Sequence, residues 1–180
     1  MCIRDRLKVE PGTAFYRSPP AGLPDGDAAA DFYLYAVQQL EAAGYRQYEI
    51  SNFARPGHEG RHNLLYWNCN DYWGIGPAAH SCVDNVRRFW PGDVQGFIDG
   101  TIHEEIEGDC TVEDYLLMQL RLVSGLDIAE YERRGGRFTT AQRAFMRQCV
   151  GHGYAVLNGN VFRLTPAGMV VQNAILAELI

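Results

Sequence analysis

Apolar positions recur at helical spacing first between Ala29 and Leu40. Ala29, Phe32, Tyr33, Ala36, Val37 and Leu40 lie on one face, Pro24-Asp25 forms a start signal and Gly44 a stop. On either side the period shortens to two. Leu7-Lys8-Val9-Glu10 alternates like a strand and ends at the turn pair Pro11-Gly12, and Tyr48-Glu49-Ile50-Ser51 reads as a second strand. Strand, helix and strand with short links predict a parallel βαβ unit of an α/β sheet or barrel, whose ligands gather in the loops after the strands. The loop expected to run from Asn52 to about Asn63 is therefore the place to look for chemistry. Residues 1–6 do not continue the alternation of Leu7–Glu10 and read as a non-native junction or truncation scar.

Further along, Leu64–Trp67 is a short apolar piece and Val86–Trp90 a possible strand. Val94–Ile98 is a short helical segment in a Gly- and Asp-containing connector. A domain boundary is expected there, dividing 1–108 from 109–180. In the second part Thr111, with Asp114 three residues on, caps a helix. Asp127 opens a second helix that ends at Gly135-Gly136, and Thr139 opens a third that runs to Gly151. Tyr154–Leu157 and Val161–Leu164 flank Asn158-Gly159, a type I′ hairpin signal. Thr165-Pro166 starts a closing helix. Three helices, a hairpin and a last helix predict a winged-helix-like module.

Composition narrows the function classes. The chain has 180 residues, 47% of them apolar, and a net charge of −6, which fits a globular protein with no general attraction to nucleic acid or anionic membranes. Residues 109–180 carry seven acidic and seven basic side chains. Their third helix offers only Arg143 and Arg147, too few for a phosphate-neutralising stripe, so a docking or lid role suits the module better than DNA binding. No stretch approaches the roughly 18 apolar residues of a membrane span. The N-terminus is charged where a signal peptide would be apolar. Five cysteines (Cys2, Cys69, Cys82, Cys110 and Cys149) form neither a secreted disulfide framework nor a CxxC cluster, so a reduced cytoplasmic protein is expected.

Two motifs invite cofactor readings and fit them poorly. Gly74-x-Gly76-x-x-Ala79 has the form of a dinucleotide fingerprint, but Pro77 and the run His80–Asn85 spoil the helix it requires. The simpler meaning is close backbone approach to a neighbouring strand or a ligand. His58 and His62 have HxxxH spacing, yet Pro56-Gly57 and Gly60 argue against a helix carrying both, which zinc would need. Spacing alone makes His58, His62 and His80 ordinary loop histidines bonded to backbone. A single imidazole is nevertheless a good heme-iron ligand, and Tyr66 and Trp67 lie near enough to pack on a flat macrocycle.

Three stretches together carry a resemblance: YEISNFARPG (48–57), RHNLLYW (61–67) and GIGPAAHS (74–81). They resemble the HemW-type heme chaperones, a branch of the radical S-adenosylmethionine (SAM) family that includes oxygen-independent coproporphyrinogen III oxidase. LKVEPGT (7–13) is similar to the preceding barrel strand, and 109–180 to the C-terminal domain. The resemblance implies an α/β chain: the C-terminal part of a partial (β/α) radical SAM barrel, plus a small winged-helix-like α+β domain. It implies heme as cargo, with SAM and a 4Fe-4S cluster in the full-length protein, and heme-accepting membrane proteins as partners. The HNxxYW motif carries the proposed heme contact onto His62, as the iron ligand, with Asn63, Tyr66 and Trp67 beside it. The GIGxxAHS run places Gly74, Ile75, Gly76, Ala79 and His80 on the SAM side. Ala78 stands where chaperones commonly have a second glycine. The cluster's CxxxCxxC loop should precede residue 7, and no cysteine trio here has that spacing, so this chain is expected to be catalytically inactive. The alternative is coproporphyrinogen III oxidase activity in porphyrin biosynthesis, which HNxxYW disfavours.

Overall fold

The structure, a computed structural model, describes residues 9–180 and the backbone of Cys2–Ile3. The expected strand at 7–10 therefore lies partly outside the described residues. Its described half, Val9-Glu10, is irregular and leads into the turn at Pro11-Gly12.

The elements in chain order are β1 (Cys2–Ile3), α1 (Ala14–Arg17), α2 (Gly26–Ala42), β2 (Arg46–Gln47), β3 (Asn52–Ala54) and α3 (Arg61–Trp67). Next come β4 (His80–Val83), β5 (Val86–Phe89), α4 (Val94–Ile98), β6 (Glu105–Asp109) and α5 (Val112–Gln119). The chain closes with β7 (Leu126–Asp127), α6 (Ile128–Arg133), α7 (Thr140–Gly151), β8 (Ala155–Asn158), β9 (Val161–Leu164), α8 (Pro166–Val170) and α9 (Gln172–Leu179).

The strands form three small sheets, ordered β1-β3-β2, β4-β5-β6 and β7-β9-β8. Every pairing among the described residues is antiparallel, which corrects the expected parallel βαβ pairing. Tyr48–Ser51 is not a strand but the turn between β2 and β3. Tyr48 N–H donates to Asn52 O (3.2 Å), and Glu49 forms an isolated bridge with Leu122. Alternation gives the period of a strand but not its partner, and here the partner is the segment after α5.

Side-chain caps set most helix starts. Asp25, Asp93 and Asp127 accept from N–H groups of the first turns of α2, α4 and α6. Thr111 and Thr139 close reciprocal capping boxes with Asp114 and Gln142, and Thr165 caps α8 with Pro166 at its first turn. Each cap satisfies N–H groups that the helix leaves unpaired. The expected closing helix is broken at Val171 into α8 and α9. The β8–β9 turn is centred one residue later than expected. Asn158 pairs with Val161, so Gly159 and Asn160 are the central residues. Only Gly159 has positive φ (58°), the mark of a type II′ turn.

From α5 to β9 the order helix, strand, two helices and hairpin gives the winged-helix arrangement, with the short β7 completing the sheet beside β9. One core spans both ends of the chain: Tyr33, Val37 and Phe53 pack with Leu116, Leu120, Leu126, Phe162 and Leu179. A polar knot reinforces it. Gln47 Nε2 donates to Tyr33 Oη (2.6 Å) and Ile50 O (3.2 Å), and Tyr33 Oη donates to Met169 Sδ (3.2 Å). On α2 the buried stripe is narrower than the period implies, because Tyr33 and Val37 are buried while Phe32 is 63% exposed. No helix among the described residues is long and apolar enough to cross a membrane.

Candidate functional site

The long loop expected after Ser51 is shorter than the pattern implies. β3 occupies its first residues, and from Arg61 the chain is helical. His62, Asn63, Tyr66 and Trp67 thus lie on α3, whereas His58 precedes it. The helix has only seven residues, and Gly60 supplies no side-chain cap. So short a helix needs tertiary support. That support comes from the end of α5 and the segment after it: Gln119 Nε2 donates to Trp67 O (2.7 Å), and the Arg121 guanidinium lies 5.4 Å from the Trp67 ring centroid. Trp67 is therefore packed against the protein rather than turned outward.

His62 is exposed, and one turn on, the Tyr66 hydroxyl lies 3.1 Å from its Nε2. The rings of His62 and Tyr66 meet edge to face at 4.8 Å, and those of Tyr66 and Tyr72 at 4.4 Å. This aromatic ladder joins α3 to the second motif. Tyr72 pairs with Cys82 of β4 through two backbone bonds (2.8 and 3.0 Å), and residues 73–79 form the loop between them.

Within that loop the two glycines have different tasks. A Cβ on Gly74 would collide with the carbonyl of His80, so Gly74 is needed for contact with a neighbouring strand. Its N–H donates to Ser81 Oγ (3.1 Å), which in turn donates to Glu104 Oε1 (3.2 Å). Gly76, at φ 106°, has open space where a side chain would be. Ala78 takes the left-handed conformation at φ 60°. Ile75 is 91% exposed and Trp73 69%. Ala79 O accepts from Trp90 N–H (2.9 Å), and the exposed His80 reaches Glu107 Oε2 through Nδ1 (3.3 Å) and stacks on Phe89 at 5.7 Å. Gly74, Gly76, Ala79 and His80 therefore share one loop and strand end, while the Ile75 side chain stands out in solvent.

Beneath α3 lies a polar cluster that no motif announced. Glu49 is 0% exposed, and its Oε1 accepts from Asn52 Nδ2. Burial pushes the Glu49 carboxyl above its ordinary value, against the opposing pull of hydrogen bonds from the backbone and Asn52 and of the Arg121 charge. Glu49 Oε2, Trp67 Nε1 and Arg121 Nε have no hydrogen-bond partner among the described residues. Glu49 is part of the YEIS stretch, but only its buried position gives it this character.

A cleft of about 110 Å³ at Tyr66, Tyr72 and Cys82 is too small to enclose a drug-sized ligand, for which roughly 300 Å³ or more is usual. A cleft of about 560 Å³ lies elsewhere, lined by Tyr45, Gln47, Arg163 and Met169 among others. A macrocycle at His62 would therefore lie over an open surface. The cysteines at 69, 82, 110 and 149 lack CxxxCxxC spacing, and no group of three or more His, Cys, Asp or Glu among the described residues could hold a metal ion. These residues do not fit a 4Fe-4S cluster.

Comparison with known proteins gives the same neighbourhood from both halves of the chain. A family model described as the HemN C-terminal domain matches residues 111–171. The heme chaperone HemW of Escherichia coli K12 is 31% identical over 179 residues, covering 95% of this chain and 47% of that protein. The heme chaperone HemW of Mycobacterium tuberculosis (strain CDC 1551 / Oshkosh) is 32% identical over 186 residues, with coverages of 97% and 46%. The solved structure of E. coli coproporphyrinogen III oxidase (HemN), titled a radical SAM enzyme, superposes with a TM-score of 0.63 at 17% identity, covering 88% of this chain and 42% of that one. The chain spans about half the length of the curated relatives it matches. It belongs to the family of the HemW-type heme chaperones, which shares its fold with coproporphyrinogen III oxidase.

Proposed function

We propose that this chain carries the heme-contacting part of a heme chaperone, with His62 as the iron contact and Asn63, Tyr66 and Trp67 shaping its surroundings. The observation that carries the reading is the exposed His62 ring at the head of the Tyr66–Tyr72 ladder, with the Tyr66 hydroxyl at its Nε2. When Nε2–H donates to that hydroxyl, the Nδ1 lone pair is left for iron; when the hydroxyl donates, the proton sits on Nδ1 and that route closes. The direction of this bond thus decides whether Nδ1 is free for iron. Asn63, half-buried on the same short helix, would offer its amide to a propionate.

In the whole protein, SAM is proposed to approach the Gly74–His80 loop, where Gly76 offers open backbone and Ile75, Ala79 and His80 flank it. Delivery of heme to membrane acceptors, from the cytoplasmic side, belongs to the same proposal. The HemW relatives' names support the reading. Heme titration followed by absorbance tests it: His62→Ala is expected to weaken binding about tenfold or more and to alter the bound spectrum. Unchanged affinity and spectrum would overturn the assignment. The fold likeness to HemN supports a second reading, oxidation of coproporphyrinogen III. A full-length homologue that makes protoporphyrinogen from that substrate would favour it.

A further inference from the structure

We propose that Cys82 and Cys110 form a closable dithiol, a modification site at which a low-molecular-weight disulfide joins the two cysteines. Their Sγ atoms are 3.3 Å apart although 28 residues separate them in sequence. Both backbones are held. Cys82 is bonded to Tyr72 on both sides, and Cys110 N–H donates to Asn85 O (2.8 Å) while Asn85 Nδ2 donates to Cys110 O (2.8 Å). The thiols therefore meet without any rearrangement of the sheet that carries them.

Access sets the order of events. Cys82 is 5% exposed, while Cys110 is half-buried, so the reagent enters at Cys110. The Cys110 thiolate, its proton lost to solvent, attacks one sulfur of R–S–S–R. That bond breaks, and the released thiolate takes up a proton. Cys82, deprotonated in turn, attacks Cys110 Sγ and expels the second reagent thiolate, which is also protonated. In total two protein thiols give up two electrons and two protons, and the reagent leaves as two thiols. The second step is intramolecular between sulfurs already in contact, so ring closure outpaces capture by a further molecule of reagent.

The first step is slow at neutral pH. Burial, together with the Cys82 thiol beside it, pushes Cys110 up to about 12, so only a trace is thiolate. The rate should rise about tenfold per pH unit through the neutral and mildly alkaline range. The same cleft is lined by Tyr66 and Tyr72, which places the dithiol directly behind the ladder that ends at His62.

The test is incubation of the 180-residue chain with oxidised glutathione, followed by peptide mapping and mass spectrometry. The expected product is a linked Cys82–Cys110 peptide, lighter by two hydrogens than the reduced pair, with the stated pH dependence of its rate. Cys82→Ser should stop at a glutathione adduct on Cys110, and Cys69→Ser should leave the yield unchanged. A dominant Cys69–Cys110 link, a wild-type chain that halts at the mixed disulfide, or the same pairing in denaturant as in buffer would each overturn the proposal.

Discussion

Ala78 sits at φ 60°, where the Cβ of an L-residue crowds the following carbonyl and costs roughly 1–2 kcal/mol. Part of that is returned through the unfolded chain, which glycine makes more flexible. Ala78→Gly should therefore stabilise the protein by about 1 kcal/mol, raising Tm by roughly 2–4 °C in a thermal melt. Glu49 makes a pH-dependent prediction. Its pKa is raised by folding, so the folded state holds the proton more tightly than the unfolded one. The stability this contributes is complete below the unfolded pKa of 4.5 and is lost as pH rises through the raised folded value. Glu49→Gln, which cannot ionise, should escape that loss. Chemical denaturation across a pH series should show the wild type falling relative to the variant above pH 4.5 and levelling off once Glu49 has ionised in both states. In sequence Ala78 stands out only through the resemblance, as an alanine where the chaperones commonly have a glycine, and Glu49 sits in what reads as a strand.

Among the elements, what was legible was what is settled locally. Thr111, Asp127, Thr139 and Thr165 could be read as caps because the donors they satisfy lie within three residues. Tyr48–Ser51 and α3 could not, because distant segments decide them: Leu122 for the first, Gln119 and Arg121 for the second. His62 and Tyr66 were legible as residues of a motif and Tyr72 was not, and the stacking of all three needed a helix that begins within the expected loop. The dependence of α3 on Gln119 gives a test. Gln119→Ala removes the bond to Trp67 O and leaves a shielded carbonyl unpaired, at a cost of about 1–2 kcal/mol. Amide exchange in residues 61–67 should quicken in the variant, and heme affinity should fall although no side chain of the proposed contact has changed.

At the scale of the whole molecule, the winged-helix arrangement was legible, and the expectation that it does not bind DNA can be tested. Arg143 of α7 is tied to Glu132 and packed near the Phe138 ring, which removes one of the two basic residues that a recognition helix would present. The chain should pass through a DNA column at low salt without retention; binding that weakens steeply with added salt would contradict this. What the helical period could not tell was which apolar face finds a partner, because periodicity marks a stripe and not its neighbour. Phe32 belongs to the predicted stripe of α2 yet stands exposed, while Tyr33 beside it anchors the knot with Gln47 and Met169. One core crosses residue 109, and Gln119 and Arg121 from the second part support α3 directly.

The packing of Arg121 over Trp67 has an optical consequence. An indole under a guanidinium, with its Nε1 shielded, emits from surroundings unlike those of the exposed Trp73. Loosening of the segment after α5 would return Trp67 to water and move its emission to the red. A heme seated at His62, on the same seven-residue helix, would darken it. The fluorescence of this one side chain would then report both the docking of the C-terminal module and the arrival of the cargo, and the direction of the change would tell the two events apart.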